Sequence, residues 1–376
     1  MSPFVFFEEI KLINSSPAFA RPKVYEMKSY IGVFKGKDWL ETQSWSQEDL
    51  KLLISASKDL KQKYKARKST ADILRERTLF MIFFNRSLRT RNSFEAGMTQ
   101  LGGHAHFLSP QDIYVPALPE DEEAYKTERI ADVARVLDEM GDSIAIRIYG
   151  DAAKWMYGRG HRTVEEFARW AKIPVINMED DVYHPCQEMA DIQAVDEHVG
   201  KFQGKKFVMS WAFSEGLKPL AVPQSCILIA SKMGMDVVFA RPKGFELDDK
   251  MIKWAKENAD RYGGSFSETD DMDEAFEGAH VVYPKSWTAR AALPGPWGGP
   301  AQPDKQLALE YARKNKSWIC DRAKMDLTAK AIYMHCLPAD RGMEVTDEVI
   351  DGPQSVAFDE AGNRLHAQKA IMAAIM

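Results

Sequence analysis

The sequence predicts an α/β protein made of two domains, each with a mainly parallel sheet. Two series of short apolar runs alternate with helix-like segments, the first starting at residues 78–84 and the second at residues 207–211. Such alternation is typical of parallel sheets flanked by helices. At 376 residues and 45% hydrophobic content, the chain is also long enough to bury two cores.

Composition narrows the class of partners. The net charge is -5 at pH 7 and acidic and basic residues are mixed along the chain, whereas a nucleic-acid surface needs a concentrated basic patch. No apolar run reaches the roughly 18 residues that a membrane-spanning helix needs. Small anions remain possible ligands, because a local pocket of arginines does not depend on net charge. We therefore expect neither a nucleic-acid nor a membrane partner.

The cysteines and the N-terminus indicate a cytoplasmic protein. The chain has four cysteines, Cys186, Cys226, Cys320 and Cys336. They form no CxxC pair and have no zinc-site spacing, which favours reduced thiols. The apolar residues 4–7 are followed at once by Glu8 and Glu9 and preceded by no basic residue, which disfavours a signal peptide. Residues 1–38 show no periodicity, so we expect an extension that packs on a neighbouring surface or stays mobile.

The first series alternates strands and helices. Ser46 is a candidate N-cap of a surface helix, with Asp49 three residues on. Residues 78–84 are almost wholly apolar, as expected for a central strand. The next helix is expected to place Phe94, Met98 and Leu101 inward and to end at Gly102-Gly103. The further predicted elements are a strand at 104–108, a long loop at 109–127, a helix at 128–140, a strand at 143–148, a helix at 163–171 and a strand at 174–177.

The second series repeats the alternation. Strands are predicted at 207–211, 236–240, 280–283 and 331–335, with helices beginning near Pro223, Asp248 and Asp273. Residues 363–376 form an amphipathic helical pattern, and the first domain is a candidate partner for its apolar face. We therefore divide the chain into an extension at 1–38, a first domain at 39–183 plus 357–376, and a second domain at 184–356. No GxGxxG follows a strand, so a dinucleotide-binding fold is poorly supported.

The break from strand to helix at residues 85–91 favours an anion site. A helix start leaves backbone N–H groups unpaired, and these groups attract anions. Ser87 suits the N-cap, Thr90 adds a hydroxyl, and Arg89 and Arg91 add charge that can grip phosphate oxygens. The alternative is an ordinary N-cap followed by two solvated arginines.

Other polar residues follow the ends of predicted strands. Ligands of parallel sheets collect at this edge, where Arg147, the run from His184 to Gln187 and the run from His335 to Pro338 fall. Taken singly, the run from His184 indicates only helix capping, and the run from His335 indicates only a strand end. Arg364, taken singly, indicates a surface arginine. His104 and His106 share one strand face and could hold a metal, but no third ligand is near, so structural histidines are favoured.

Together, five motifs resemble those of the aspartate and ornithine carbamoyltransferase family over about residues 45–376. They are, in order, Ser87-x-Arg89-Thr90-Arg91, Arg147, His184-Pro-x-Gln187, His335-Cys-Leu-Pro338 and Asn363-Arg364-Leu-His366. The resemblance implies two α/β domains with the active site between them, the first binding carbamoyl phosphate and the second an amine. It also implies a homotrimer in which the 109–127 loop reaches a neighbouring site, and a reaction without a metal or organic cofactor.

The resemblance implies a role for each matched residue. Ser87, Arg89, Thr90 and the N–H of Leu88 would hold the phosphate, whereas Arg147, His184 and Thr90 would polarise the carbonyl. Gln187 and the carbonyl of Leu337 would hold the carbamoyl NH2, and Arg364 would close over the ligand. The implied catalytic residues are Arg147, His184 and Cys336.

Lys285 bears on the second substrate. Ornithine carbamoyltransferases place an aspartate near this position to bind a free α-ammonium, whereas a lysine about 4 Å from that ammonium would cost around 4 kcal/mol at an intermediate dielectric. Lys285-Ser286-Trp287 and Glu179 instead resemble the N-acetylornithine and N-succinylornithine branch, whose chain path is knotted. We therefore expect an N-acylated ornithine, bound by Glu179, Lys285, Ser286, Trp287, Tyr114 and Thr127.

Two departures leave alternatives open. The run ending at Asp340 and the insertion at 288–306 are closer to knotted carbamoyltransferases of unassigned substrate, and Thr127 matches neither the glutamate nor the proline that separates acetyl from succinyl specificity. The alternatives are another amine acceptor, such as a diamine or a ureido-pathway amine, and a non-catalytic relative that binds carbamoyl phosphate.

Overall fold

Two parallel sheets form the framework of the computed structural model, which describes residues 30–376. This arrangement confirms the predicted fold class. The apolar patch at residues 4–7 and most of the predicted extension lie outside the described residues.

The first sheet has the strand order β2-β1-β5-β6. Its part of the chain contains strands β1 (Thr78–Phe83), β2 (His104–Leu108), β3 (Val115–Ala117), β4 (Thr127–Arg129), β5 (Ser143–Arg147) and β6 (Val175–Glu179), and helices α1 (Gln47–Lys65), α2 (Arg89–Leu101), α3 (Ile130–Asp138), α4 (Arg159–Trp170) and α5 (Pro185–His198). The pairings β1–β2, β1–β5 and β5–β6 are all parallel. Their carboxyl ends therefore share one edge of the sheet.

The second sheet has the strand order β11-β10-β7-β8-β9 and is also parallel. Its part of the chain contains β7 (Lys206–Trp211), β8 (Asp236–Ala240), β9 (Ser265–Thr269), β10 (Val281–Lys285) and β11 (Ile332–Tyr333), with helices α6 (Ala221–Lys232), α7 (Asp249–Tyr262), α8 (Met272–Phe276), α9 (Lys305–Arg313), α10 (Arg322–Asp326), α11 (Asp347–Ile350) and α12 (Ala357–Ile375).

Local signals in the first domain are confirmed. The Ser46 side chain accepts from the N–H of Asp49 at 3.1 Å and caps α1. Phe94, Met98 and Leu101 are fully buried, and α2 ends at Gly102 with φ of 91°, a left-handed conformation that glycine adopts without strain.

Other expectations were wrong in detail. The 109–127 segment is not a plain loop, because β3 pairs with β4 there in a short parallel sheet. Strand β9 was not predicted, since its residues Ser-Phe-Ser-Glu-Thr are mostly polar and its side chains are largely exposed at the sheet edge. Helix α12 begins at Ala357 and is buried on nearly every side rather than on one face, because α1, α2 and α5 all pack against it.

The segment before α1 joins the first domain to the C-terminal helix. The N–H groups of Gly32 and Phe34 donate to the carbonyls of Ala373 and Ala374 at 2.8 and 2.9 Å, which satisfies acceptors that a helix end leaves unpaired. Trp39 adds a bridge to Ile176 at the edge of β6. The described part of the predicted extension therefore packs on the protein.

Two further observations concern the whole described chain. Every cysteine is a free, buried thiol. Of the helices within residues 30–376, none is both long and apolar enough to traverse a bilayer.

Trp39 provides a test of this packing. Its side chain is fully buried and lies 4.9 Å from the Trp45 ring, centroid to centroid. Trp39→Ala is expected to lower the free energy of unfolding by about 3–5 kcal/mol, because it opens a cavity in the core. Equilibrium urea unfolding measures the change. Trp170→Ala removes a partly exposed indole and should cost under about 1 kcal/mol; similar losses for the two variants would contradict the assigned burial.

Candidate active site

A cavity of about 220 Å³ lies between the two sheets, at the carboxyl ends of their strands. Parallel α/β sheets place ligand sites at this edge. Side chains from both domains line it, namely Ser87, Arg89, Thr90, Arg147, Tyr149, Glu179, His184, Gln187, Leu217, Lys218, Pro219, Val222, Lys285, Cys336, Leu337, Pro338 and Arg364. Segments far apart in sequence thus meet around one small space.

The start of α2 forms one wall of the cavity. Leu88, not Ser87, is the N-cap residue, although the Ser87 hydroxyl still accepts from the N–H of Thr90 at 3.2 Å. The Leu88 side chain is exposed. Arg91 is turned away from the cavity, because it pairs with Glu95 and lies over the Phe107 ring. The predicted anion cradle therefore contains Arg89 but not Arg91.

Two arginines meet at one hydroxyl. Arg147 donates to Thr90 Oγ1 at 3.3 Å, and Arg364 donates to the same oxygen at 2.9 Å. Both guanidinium groups are buried. Burial, and the neighbouring Arg147, lower the pKa of Arg364. Arg364, which the sequence alone would place on the surface, is thus part of the cavity wall and a strong attractor for an anion.

Glu179 connects Arg147 to His184. Its carboxylate forms an ion pair with Arg147 and lies 3.3 Å from His184 Nε2. Burial, with Arg364, Arg147 and Arg89 nearby, holds the pKa of His184 well below its ordinary value. The imidazole is therefore neutral at pH 7. Its Nδ1 has no hydrogen-bond partner among residues 30–376.

Tyr149 was not predicted as a site residue. Its hydroxyl accepts from Arg147 at 3.0 Å, and the Arg147 guanidinium lies 5.0 Å from the ring centroid. Burial raises the pKa of Tyr149, so the phenol stays neutral. Its position two residues after β5 was the only sequence signal.

Gln187 and Leu337 also line the cavity, and each presents an oxygen atom. Gln187 Oε1 accepts from Arg364 at 2.6 Å, and the Leu337 carbonyl accepts from Arg89 at 2.5 Å. Leu337 has φ of 53°; it leaves right-handed helical geometry as predicted, but it adopts the left-handed region rather than the extended one that a following proline favours. An acceptor oxygen has two lone pairs, so each can take a further N–H donor.

A second charged cluster surrounds Glu344, which was also missed. Glu344 Oε1 lies 3.1 Å from Lys285 Nζ and accepts from the Ser286 hydroxyl at 2.6 Å, while Oε2 accepts from the N–H of Asp340 at 2.7 Å. Lys218 pairs with Asp340 and lies 3.6 Å from Glu344. Burial opposes the charge on Lys285, but Glu344, Asp340 and the other neighbouring groups together outweigh burial and raise the pKa of the ammonium. Lys285 is therefore a cation facing the cavity.

Several predicted residues lie elsewhere within one chain. The indole of Trp287 donates to the Phe245 carbonyl at 3.0 Å and borders a separate cavity of about 340 Å³. Ser286 is occupied by Glu344. Tyr114 is exposed, and Thr127 bonds to Glu123 near the surface. None of these four lines the cavity between the sheets.

Cys336 lines the cavity as a neutral thiol. Its burial raises the pKa to about 12, and only a thiolate is a strong nucleophile. The predicted catalytic role of Cys336 therefore has to be one that a neutral group can perform.

Two family models match the chain. The model for "Aspartate/ornithine carbamoyltransferase, carbamoyl-P binding domain" matches residues 37–197, and that for "Aspartate/ornithine carbamoyltransferase, Asp/Orn binding domain" matches residues 220–375.

Relatives of two acceptor types show similar identity. The N-acetylornithine carbamoyltransferase of Xylella fastidiosa is 40% identical over 349 residues, covering 90% of this chain and 98% of that protein. The ornithine carbamoyltransferase of Thermococcus kodakarensis is 38% identical over 341 residues, covering 91% and 96%. A crystal structure of acetylornithine transcarbamylase complexed with acetylcitrulline matches with a TM-score of 0.82 at 36% identity, covering 90% and 99%.

Glu344→Gln is expected to lower the free energy of unfolding by about 3–5 kcal/mol at pH 7, because it leaves buried Lys285 without its counter-charge. Although burial opposes ionisation, Lys285 and His335 hold the pKa of Glu344 well below 4.5. A depressed pKa adds stability above pH 4.5 that is lost as pH falls through the folded-state value. The gap between wild type and variant should therefore narrow in acid.

Equilibrium unfolding at a series of pH values measures this gap. Glu348→Gln alters an exposed carboxyl four residues away and should change stability by less than about 0.5 kcal/mol. A gap that stays constant down to strongly acidic pH would show that the charge of Glu344 is not what stabilises this cluster.

Proposed function

The chain belongs to the aspartate/ornithine carbamoyltransferase family, and from this membership we propose that it carbamoylates the side-chain amine of an N-acylated ornithine. The products would be an N-acylcitrulline and phosphate. The observation that carries the choice of acceptor is the buried cation of Lys285 in the cavity wall.

The phosphate of carbamoyl phosphate would bind at the start of α2. Ser87, Arg89 and Thr90 line the cavity there, and the N–H of Leu88 lies in the first turn. A helix N-terminus and an adjacent guanidinium both favour a dianion. Arg364, which already bonds Thr90, would close over the same group.

The carbonyl of carbamoyl phosphate would be polarised by Arg147, His184 and Thr90. As the amine attacks, negative charge develops on the carbonyl oxygen, and preorganised donors stabilise it most in a buried site. Arg147 supplies a fixed positive charge, whereas neutral His184 can supply at most one N–H. The carbamoyl NH2 would donate to Gln187 Oε1 and to the Leu337 carbonyl, which fixes the orientation of the carbonyl carbon.

The reaction needs no group beyond these side chains. The neutral amine attacks the carbonyl carbon, forming the C–N bond and a tetrahedral intermediate. The bond between the carbonyl carbon and the bridging oxygen then breaks, its electron pair leaves on that oxygen as part of the phosphate, and the phosphate takes one amine proton. Cys336 would line the site as a neutral contact. Glu179, beside Arg147 and His184, would accept a hydrogen bond from the attacking amine.

Lys285 would select an acceptor without a free α-ammonium. Its ammonium can attract the acceptor's carboxylate or acyl oxygen, but it repels a second cation by around 4 kcal/mol at about 4 Å and intermediate dielectric. Acylation removes that cation. Ser286 would act indirectly, because it and Lys285 both bond to the Glu344 carboxylate. Trp287 would also act indirectly, by packing next to the end of β10.

A second candidate is transfer to a different amine, such as a diamine or a ureido-pathway amine. The charge of Lys285 is partly offset by Glu344, and Asp340 lies close to Lys218. These carboxylates weaken the repulsion of a cationic acceptor. The similar identities to relatives of two acceptor types support keeping this alternative.

We also propose that the active chain is a homotrimer in which Tyr114 and Thr127 complete a neighbouring site. Within one chain both residues lie away from the cavity, and the exposed Tyr114 and Tyr125 leave aromatic surface uncovered. The loop base is anchored to its own chain, since Arg162 pairs with Glu120, and Arg159 with Asp121.

The acceptor is tested by incubating the protein with carbamoyl phosphate and a panel of amines, and measuring ureido product. N-acetylornithine or N-succinylornithine should be carbamoylated with kcat/KM at least about 100-fold above that for ornithine, as the repulsion argument requires. Turnover of ornithine but of neither acylated form would refute the role given to Lys285, while a diamine as the sole substrate would favour the second candidate.

Lys285→Met should lower kcat/KM for the acylated substrate by about 10–100-fold, because one charge-assisted contact is lost. It should also reduce the discrimination against ornithine. Lys243→Met, at an exposed lysine of the same domain, is the matched control. Unchanged discrimination in folded Lys285→Met would contradict the proposal.

The trimer is tested by light scattering and by mixing two impaired variants. Arg89→Ala damages the phosphate site, and Tyr114→Ala damages the loop. In a mixed trimer, some sites pair the intact phosphate site of a Tyr114→Ala subunit with the intact loop of an Arg89→Ala subunit, so part of the activity should return. Tyr125→Ala, in the same loop, should retain most activity. A monomeric mass, or no recovery in refolded mixtures, would contradict a shared site.

A further inference from the structure

Gln187 is held in one orientation by two buried carboxyl groups. Its Nε2 donates to Asp191 Oδ1 at 2.7 Å and to Glu360 Oε1 at 2.8 Å. Both amide protons are thus occupied. The amide cannot rotate without turning its oxygen toward two carboxyl groups, so Oε1 stays on the side of Arg364 and the cavity.

Glu360 is an acceptor at both oxygens. Oε1 also accepts from the Tyr283 hydroxyl at 3.1 Å, and Oε2 accepts from the N–H of His335 at 2.9 Å. Tyr283 lies on β10 and His335 follows β11, whereas Glu360 lies on α12. One carboxyl group therefore connects the second sheet to the helix that supplies Arg364.

Asp191 has fewer donors. Its Oδ1 accepts from Gln187, and its Oδ2 accepts from the Cys226 thiol at 3.5 Å. Burial and the neighbouring carboxyl raise the pKa of Glu360, and burial raises that of Asp191 to about 6. The pair therefore shares one proton near neutral pH.

We propose that Asp191 and Glu360 are positioning residues for carbamoyl recognition, which hold the Gln187 oxygen toward the carbamoyl NH2. This inference rests on the contact between Gln187 and carbamoyl phosphate proposed above, but not on the identity of the acceptor. The two residues touch no substrate and act only through Gln187. Their effect is therefore expected to be larger on the carboxamide of the ligand than on its phosphate, because Gln187 reaches the phosphate only through Arg364, whereas Ser87 and Arg89 would hold the phosphate independently of Gln187.

The two carboxyl groups should respond differently to amide substitution. In Asp191→Asn, the new amide N–H replaces the shared proton and its oxygen still accepts from Gln187. In Glu360→Gln, one of the two acceptor oxygens becomes a donor, which faces either the His335 N–H or the Gln187 amide. A buried donor that faces another donor loses a hydrogen bond, and this loss would release the Gln187 amide from its fixed orientation.

Calorimetric titration with two ligands measures this effect in the folded protein without an acceptor. Phosphonoacetamide is a stable analogue that carries both the carboxamide and the phosphonate, and inorganic phosphate lacks the carboxamide. In Glu360→Gln, the Kd of phosphonoacetamide should rise about tenfold while that of phosphate changes less than about twofold. Asp191→Asn should keep both values within about threefold of wild type.

Glu188→Gln is the matched control, because Glu188 is a buried carboxyl on the same helix that bonds Thr42 rather than Gln187. Should Glu360→Gln fail to fold, Asp191→Leu removes one acceptor of Gln187 without touching His335 or Tyr283, and should weaken phosphonoacetamide selectively.

Three results would overturn the inference. The first is equal weakening of both ligands in a folded variant, and the second is unchanged phosphonoacetamide binding. The third is absence of phosphonoacetamide binding to the wild-type protein, which would remove the carbamoyl site itself. None of these results depends on the acceptor, so a wrong choice of acceptor would be recognised separately by the amine panel.

Discussion

The site depends on holding the guanidinium groups of Arg89, Arg147 and Arg364 together in a buried cavity. Bringing like charges together out of water is costly, and each charge needs acceptors to compensate for lost hydration. Thr90 Oγ1 receives both Arg147 and Arg364, the Leu337 carbonyl receives Arg89, and Gln187 receives Arg364. These acceptors satisfy hydrogen bonds but are neutral, and Glu179, which pairs with Arg147, offsets only one of the three positive charges. An entering dianion would find that charge already in place.

This requirement explains the use of both domains. Arg89 and Arg147 come from the first sheet's loops, but Leu337 follows the second sheet and Arg364 lies on the C-terminal helix. Helix α12 packs on α1, α2 and α5, which explains why it is buried on nearly all sides. Through Glu360 it also meets the end of the second sheet. The same helix therefore carries charge into the site and connects the two domains around it.

The sequence predicted the fold class and most strands, because buried parallel strands appear as short apolar runs; the strand at 236–240, for example, has the observed bounds. It also placed Arg89, Thr90, Arg147, His184 and Gln187 together, since all follow strand ends. It missed Glu344, Asp191 and Glu360, because the sequence alone does not distinguish a buried acidic residue from an exposed one. It misassigned Arg91 because each step along a helix turns the side chain by about 100°, so Arg91, two residues after Arg89, points about 200° away from it around the helix axis.

The acceptor is harder to infer than the carbamoyl donor for a physical reason. The proposed donor half of the cavity has arginines, a helix start and a neutral histidine, whose combined preference for an anion is large. The proposed acceptor half balances Lys285 and Lys218 against Glu344 and Asp340, so its net preference is a small difference between large opposing interactions. One altered charge there can change which amine is favoured without changing the fold.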